Sequence, residues 1–218
     1  MTLLDDYLPL LGDEAPSKAC PPYPVSEEEF VAWCDDDTRA EWKNGEVQLM
    51  SPVNLRHGEV NTFLLNLVGT FASYCRSGKV FTEPVHVRLH PALRRSPDII
   101  YIANQNSQIL KEQVVDGAPD LLMEVVSPGS SSRDYRIKFA EYQSAGVCEY
   151  WIIDPGNSVV EAHRLENNLY VLIKPTEGQL RSCVLPGFYI RPEWLRAHPM
   201  PEVYPCLQEI IAAHTQKH

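Results

Sequence analysis

The sequence predicts a mixed α/β fold of the α+β kind, a mixed β-sheet flanked by helices with additional antiparallel strands. Three observations predict it. Strand and helix patterns alternate through the middle of the 218-residue chain, and strand patterns dominate later. The composition, 44% hydrophobic and 22% charged, is that of an ordinary globular protein and excludes global disorder. The length suits one domain with tails: an acidic, proline-rich arm over 1–25, a domain over 26–200, and a C-terminal helix or tail over 201–218.

The elements follow in order. The arm ends in the proline cluster CPPYP. Ser26 with Glu29 forms a capping-box pattern, so EEEFVAWC reads as a short helix. RAEWKNGEVQLM reads as a hairpin, with Asn44-Gly45 as a type I′ turn. A long helix runs from about Leu55 to Ser77, with Val60, Leu64, Leu67, Val68 and Phe71 on one face and Gly78 as its stop. VFTEPVHVRL, SPDIIYIA and PDLLMEVVS read as strands, the last two joined by a polar stretch, Asn104–Gly117, with room for a short helix. SSSRDYRIKFAEYQSAG is a second helix, serine-capped and stopped by Gly146. VCEYWIID is a strand, SVVEAHRL and NLYVLIK an antiparallel pair, and LRSCVLPGFYI one more strand, before a closing helix from about Val203.

The formal net charge is −10, and its placement matters more than its size. Residues 1–46 hold twelve acids against three bases, a net −9, whereas 76–138 holds nine bases and seven acids, a net +2. The total argues against non-specific coating of nucleic acid but leaves room for a nucleic-acid enzyme with a local basic region. No apolar run approaches the roughly 18–20 residues that span a bilayer, so no membrane partner is expected. The first residues carry no basic n-region of a secretory signal. The six cysteines form no CxxC pair, which disfavours a zinc ribbon or a thioredoxin-type site and points to free thiols in a reducing cytoplasm.

Two carboxylates stand out. Asp98 opens the apolar strand PDIIYI, and Glu124 lies inside LLMEVV. A charge in a buried strand needs a partner or a cation. Two acids on neighbouring strands form a hard oxygen site suited to Mg²⁺ or Mn²⁺, while a buried ion pair with Arg or Lys accounts for them equally well. On the second helix Asp134, Lys138, Glu141 and Tyr142 share one face. By itself that pattern reads as a surface Asp–Lys pair worth about a few tenths of a kcal/mol. His57 begins the long helix soon after the hairpin that carries Glu46; the pair are candidate ligands or acid–base groups, against the commoner reading of a packing histidine. There is no GxSxG, P-loop, Rossmann glycine pattern or HExxH.

NGEVQLMSP followed by His57, then SPDIIYI, then APDLLMEVVSPGSSSRDYRIKFAEYQSAGVCEYWIIDP, and the later LPGF together resemble the Uma-two family, part of the PD-(D/E)XK superfamily with the restriction-endonuclease-like fold. The resemblance covers roughly residues 26–190 and is most specific from Pro119 to Pro155. By it, Asp98 matches the PD aspartate and Glu124 the acid of (D/E)XK. Val126 stands where the superfamily lysine would be, and Lys138 matches a lysine that the Uma-two pattern carries on the following helix. Glu46, His57 and Tyr142 match recurrent positions and are accessory candidates.

The resemblance implies a metal-dependent endonuclease that hydrolyses phosphodiester bonds of nucleic acid, DNA first among them, by metal-activated water. Asp98, Glu124 and the main-chain carbonyl near Val125 would hold one Mg²⁺ or Mn²⁺, and Lys138 would orient water or offset charge on phosphorus. Arg133 and Arg136, or Arg94 and Arg95, would contact the nucleic-acid backbone, with a solvated surface as the competing reading. A homodimer is compatible with this fold. Two alternatives stand beside the nuclease: a non-catalytic nucleic-acid-binding or protein-interaction module on a degenerate nuclease fold, and a metal hydrolase acting on another phosphorylated substrate.

Overall fold

The computed structural model describes residues 19–35, 37–127 and 133–216, with backbone alone at Arg133 and Asp134. Residues 1–18 of the expected arm and the capping serines 130–132 lie outside the described residues. Helix α1 (Glu27–Trp33) starts with the expected capping box: Glu29 N–H donates to Ser26 Oγ at 3.1 Å, and Ser26 N–H to Glu29 Oε2 at 2.8 Å. The hairpin forms from β1 (Ala40–Lys43) and β2 (Glu46–Leu49). Asn44 and Gly45 have φ of 49° and 85°, the two left-handed residues a type I′ turn requires. The chain just before α1 is pinned to this hairpin, since Val25 N–H donates to the Gly45 carbonyl and Trp42 Nε1 to the Val25 carbonyl, each at 2.9 Å.

Helix α2 (Leu55–Tyr74) buries the predicted face of Val60, Leu64, Leu67, Val68 and Phe71. It ends at Cys75, before Gly78, which instead opens β3 (Gly78–Thr82). Glycine is needed there for close approach, because a Cβ would collide with the Ile102 carbonyl oxygen and the Tyr101 ring on the neighbouring strand. The run VFTEPVHVRL is two strands rather than one. β3 and β4 (Val87–His90) belong to different sheets, and the break falls around Pro84, which has no N–H to give to a ladder.

β5 (Leu93–Arg95) and β6 (Ile99–Ala103) follow, then a 3₁₀ turn over Asn104–Ile109, β7 (Val115–Asp116) and β8 (Leu121–Val125). The second helix is composite: a π-helical stretch, Arg133–Lys138, runs into α3 (Phe139–Ala145), which Gly146 stops at φ 85°. Beyond it lie β9 (Glu149–Asp154), β10 (Val159–Glu166) and β11 (Leu169–Leu172). LRSCVLPGFYI supplies two short paired strands in place of one, β12 (Leu180–Arg181) and β13 (Tyr189–Ile190). Helices α4 (Pro192–Arg196) and α5 (Val203–Thr215) close the chain, and Cys206, Leu207 and Ile210 of α5 join the core beside α2.

The main sheet runs β11-β10-β9-β8-β6-β3, with β8 and β9 parallel and the other neighbours antiparallel. A second sheet runs β2-β1-β5-β4-β7. Side-chain alternation splits the core. Ile99, Tyr101, Met123, Trp151 and Ile153 pack toward α2, while Ile100, Ile102, Leu122, Tyr150 and Ile152 pack with Tyr142 of α3. The expected class, a mixed sheet flanked by helices with extra antiparallel strands, is therefore present. Among the described residues no helix is long and apolar enough to cross a membrane.

Candidate functional site

The site arises from topology. Parallel strands β8 and β9 need a crossover, and the π-helical stretch with α3 provides it on the face shared by Leu122 and Tyr142. Glu124 points to that same face by the two-residue period of β8. Crossover residues thereby come to lie over a buried carboxylate: Lys138 Nζ donates to Glu124 Oε1 at 2.9 Å, and the Tyr142 hydroxyl donates to the same oxygen at 2.7 Å. Glu124 and Lys138 are each 4% exposed.

Asp98 stands immediately before β6. The β6–β8 register pairs Ile99 with Met123, so one step further sets Asp98 opposite Glu124. Its backbone is held by the Thr82 hydroxyl, which donates to the Asp98 carbonyl at 2.7 Å, and its Oδ2 accepts the Val125 N–H at 2.7 Å. His57 comes from the opposite direction, in the first turn of α2, where its N–H bonds the Asn54 cap at 2.9 Å. His57 Nε2 lies 3.5 Å from Asp98 Oδ2. Asp98, Glu124, Val125, His57 and Lys138 line one cleft of about 250 Å³.

The electrostatics are those of an acid cluster with internal compensation. Burial draws His57 down, but the hydrogen bond and charge of Asp98, the charge of Glu83 and the Val125 carbonyl together lift it above its ordinary value. Burial and the charge of Asp98 push Glu83 up, partly offset by Arg39 and His57. Burial opposes ionisation of Glu41 as well, yet Lys138 and Arg95 outweigh it and hold the carboxyl below its usual range. Burial raises Tyr142 well above the ordinary phenol, as do the charges of Glu124 and Glu41, so it stays a donor.

Hard oxygens define what the cleft can hold. The Asp98 and Glu124 carboxylates with the Val125 main-chain carbonyl suit Mg²⁺ or Mn²⁺ by donor chemistry. The mutual repulsion of Glu83 and Asp98 is what a cation there would relieve. Among the described residues no group of three or more His, Cys, Asp or Glu side chains converges as a metal cluster.

The remaining sequence candidates are placed differently. Glu46 is exposed at the start of β2, opposite Lys43, and lines a neighbouring cavity rather than this cleft. Arg95 is not a surface phosphate contact: it is 3% exposed, forks onto both oxygens of Glu141 and reaches Glu41 Oε2, all at 2.8 Å. Arg94 is also engaged, with Nε 2.7 Å from Glu27 Oε1. Arg136 is exposed on the π-helical stretch; the side chains of Arg133 and Asp134 lie outside the described residues. Lys138, Glu141 and Tyr142 do share one inward face, as their spacing predicts, but the face is buried.

The family model described as "Putative restriction endonuclease" matches residues 27–193. The chain belongs to the Uma2 family. This Uma2 chain is also similar to a solved structure, that of "a putative nuclease belonging to DUF820 from Anabaena variabilis". The TM-score is 0.66 at 15% identity, over 79% of this chain and 98% of that one, which is a likeness of fold. No curated protein matches.

Two acids that line the cleft escape sequence reasoning. Glu41 alternates with inward-facing Ala40 and Trp42 and so reads as solvent-facing, yet it is 1% exposed because the crossover covers the far side of the hairpin. Glu83 sits in a run that reads as one strand; its place before Pro84 was the available signal for a bend that turns it into the cleft.

Proposed function

We propose that the protein is a metal-dependent endonuclease that hydrolyses phosphodiester bonds of nucleic acid, with DNA as its substrate. The observation that carries this reading is the Lys138–Glu124 contact at 2.9 Å in the same cleft as Asp98. It brings an ammonium to a strand acid although Val126 stands where an in-strand lysine would be. The description attached to the Uma2 model and the fold of the Anabaena variabilis protein agree with it.

Asp98, Glu124 and the Val125 carbonyl would hold Mg²⁺ or Mn²⁺, which when bound supplies Lewis acidity toward a phosphodiester oxygen and lowers the pKa of water. Lys138 would hold a positive charge where negative charge grows on phosphorus, and the burial of its side chain strengthens that interaction. The Val125 N–H and the Thr82 hydroxyl fix Asp98, and the Tyr142 hydroxyl fixes Glu124, so neither acid must reorganise as charge develops. The exposed Arg136 is the described arginine of the original set left to meet a phosphate backbone. None of the six cysteines is in a disulfide, which accords with a reducing cytoplasmic setting. A homodimer goes with this reading as a further expectation.

The test is Mn²⁺-dependent cleavage of plasmid DNA. Asp98→Ala and Glu124→Ala should abolish it while circular dichroism shows folded protein; cleavage that persists in both would sink the assignment. The internal compensation of the acids by Lys138 and His57 favours one second reading, a nucleic-acid-binding module without catalysis. That reading requires binding unaffected by EDTA and no cleavage on any substrate.

A further inference from the structure

Glu124 and Lys138 are one end of a chain of charges whose further members the proposed chemistry does not use. Lys138 Nζ is shared: beside its contact with Glu124, it lies 3.4 Å from Oε1 of Glu41 on β1. Glu41 is itself fixed, since Arg95 donates to its Oε2 at 2.8 Å and the Ser96 N–H to its Oε1 at 3.3 Å. Arg95 is forked onto Glu141, and Glu141 Oε1 takes Lys43 Nζ at 2.7 Å. Charges alternate in sign along the whole path, and its members come from β8, the π-helical stretch, β1, β5 and α3.

A lysine on a crossover helix has a four-carbon stem and many rotamers, so each carboxylate that meets its ammonium narrows where it can sit. Glu41 meets it from another sheet than Glu124 does. We infer that Glu41 is a positioning residue of the site: it acts through Lys138, fixing the ammonium beside Glu124 from the second sheet. The functional half of this inference rests on the nuclease reading; the geometric half does not. The alternative is that Glu41 merely neutralises Arg95 and holds the hairpin against α3.

Glu41→Gln keeps the shape and removes the charge. With Mn²⁺ and plasmid DNA, kcat should fall about 10²-fold, the scale of a misplaced catalytic group, while KM stays within about twofold. The conservative Glu41→Asp should recover part of kcat. In a Lys138→Met background the same Glu41→Gln change should cost nothing further, because the effect passes through the lysine. Independently of activity, acetic anhydride labelling at one fixed pH, read by mass spectrometry, should find Lys138 protected in the parent protein and reactive in Glu41→Gln.

Undiminished kcat in folded Glu41→Gln, or losses that multiply in the double variant, would overturn the inference. If the parent protein cleaves no substrate, the nuclease reading fails, and labelling alone decides whether Glu41 holds Lys138: unchanged protection refutes it. Should Glu41→Gln not fold, the same labelling is read on Glu41→Asp, where a retracted carboxylate must raise Lys138 reactivity if the inference holds and leave it unchanged if not.

Discussion

At the scale of single residues, the site places charges where burial would otherwise forbid them. Arg95 shows the cost most directly. Replacing it with Met would leave Glu41 and Glu141 without their main partner, and breaking a buried pair costs about 3–5 kcal/mol. Urea unfolding at pH 7 measures it. The pH dependence should change with it. In the parent protein burial opposes both carboxyls, but their cationic partners lower them below the ordinary 4.5. The folded chain then binds fewer protons than the unfolded one near that pH. Their stabilisation is complete above 4.5 and is lost as pH falls through the lower folded values. In Arg95→Met this contribution should shrink, with Lys138 and Lys43 left to hold the two carboxyls, so the melting temperature should fall less steeply from pH 6 to pH 4. His57 has the opposite sign: it is raised above 6.5, so its contribution is full below 6.5 and fades as pH climbs through the folded value. Proton NMR of the imidazole should show a titration above 6.5 that moves down in Asp98→Asn.

At the scale of elements, close approach of backbones decides what composition cannot. Gly78 and Gly69 are both glycines in regular structure, yet they should respond oppositely to alanine. A Cβ at Gly78 collides with β6, whereas one at Gly69, within α2, meets nothing within 4 Å. Gly78→Ala should destabilise by about 1–3 kcal/mol through overpacking. Gly69→Ala should stabilise by about 0.5–1 kcal/mol through helix propensity. Chemical denaturation of the pair tests both. The β8–crossover–β9 unit belongs to this scale too, because a parallel pair obliges a helix to return across one face, and that obligation sets Lys138 and Tyr142 over Glu124.

At the scale of the molecule, two sheets meet at one cleft, and a cation held there by Asp98, Glu124 and Val125 would tie the start of β6 to β8. Adding Mn²⁺ should therefore raise the melting temperature of the parent protein. Free metal at 100 times its dissociation constant should contribute about 2.7 kcal/mol. Asp98→Ala and Glu124→Ala should lose the shift, and Glu46→Ala, whose carboxylate lies in the neighbouring cavity, should keep it. Differential scanning calorimetry with and without metal gives the answer; an equal shift in all four proteins would mean the cation binds elsewhere.

What the sequence determined by itself is what neighbouring residues enforce. Ser26 with Glu29 set a helix start, Asn44-Gly45 set a turn, the apolar face of α2 set a buried helix, and the apolar setting of Asp98 and Glu124 marked both acids. The common face of Lys138, Glu141 and Tyr142 was also legible, since helical spacing alone establishes it. Only the tertiary structure decided which solvent-facing positions a second layer would cover. It buried Glu41 under the crossover, turned Glu83 into the cleft, split β3 from β4 between two sheets, and consumed Arg95 as a brace. The reason is physical: backbone preference and side-chain period act over a few residues, whereas burial of a strand's second face depends on elements tens of residues away in the chain.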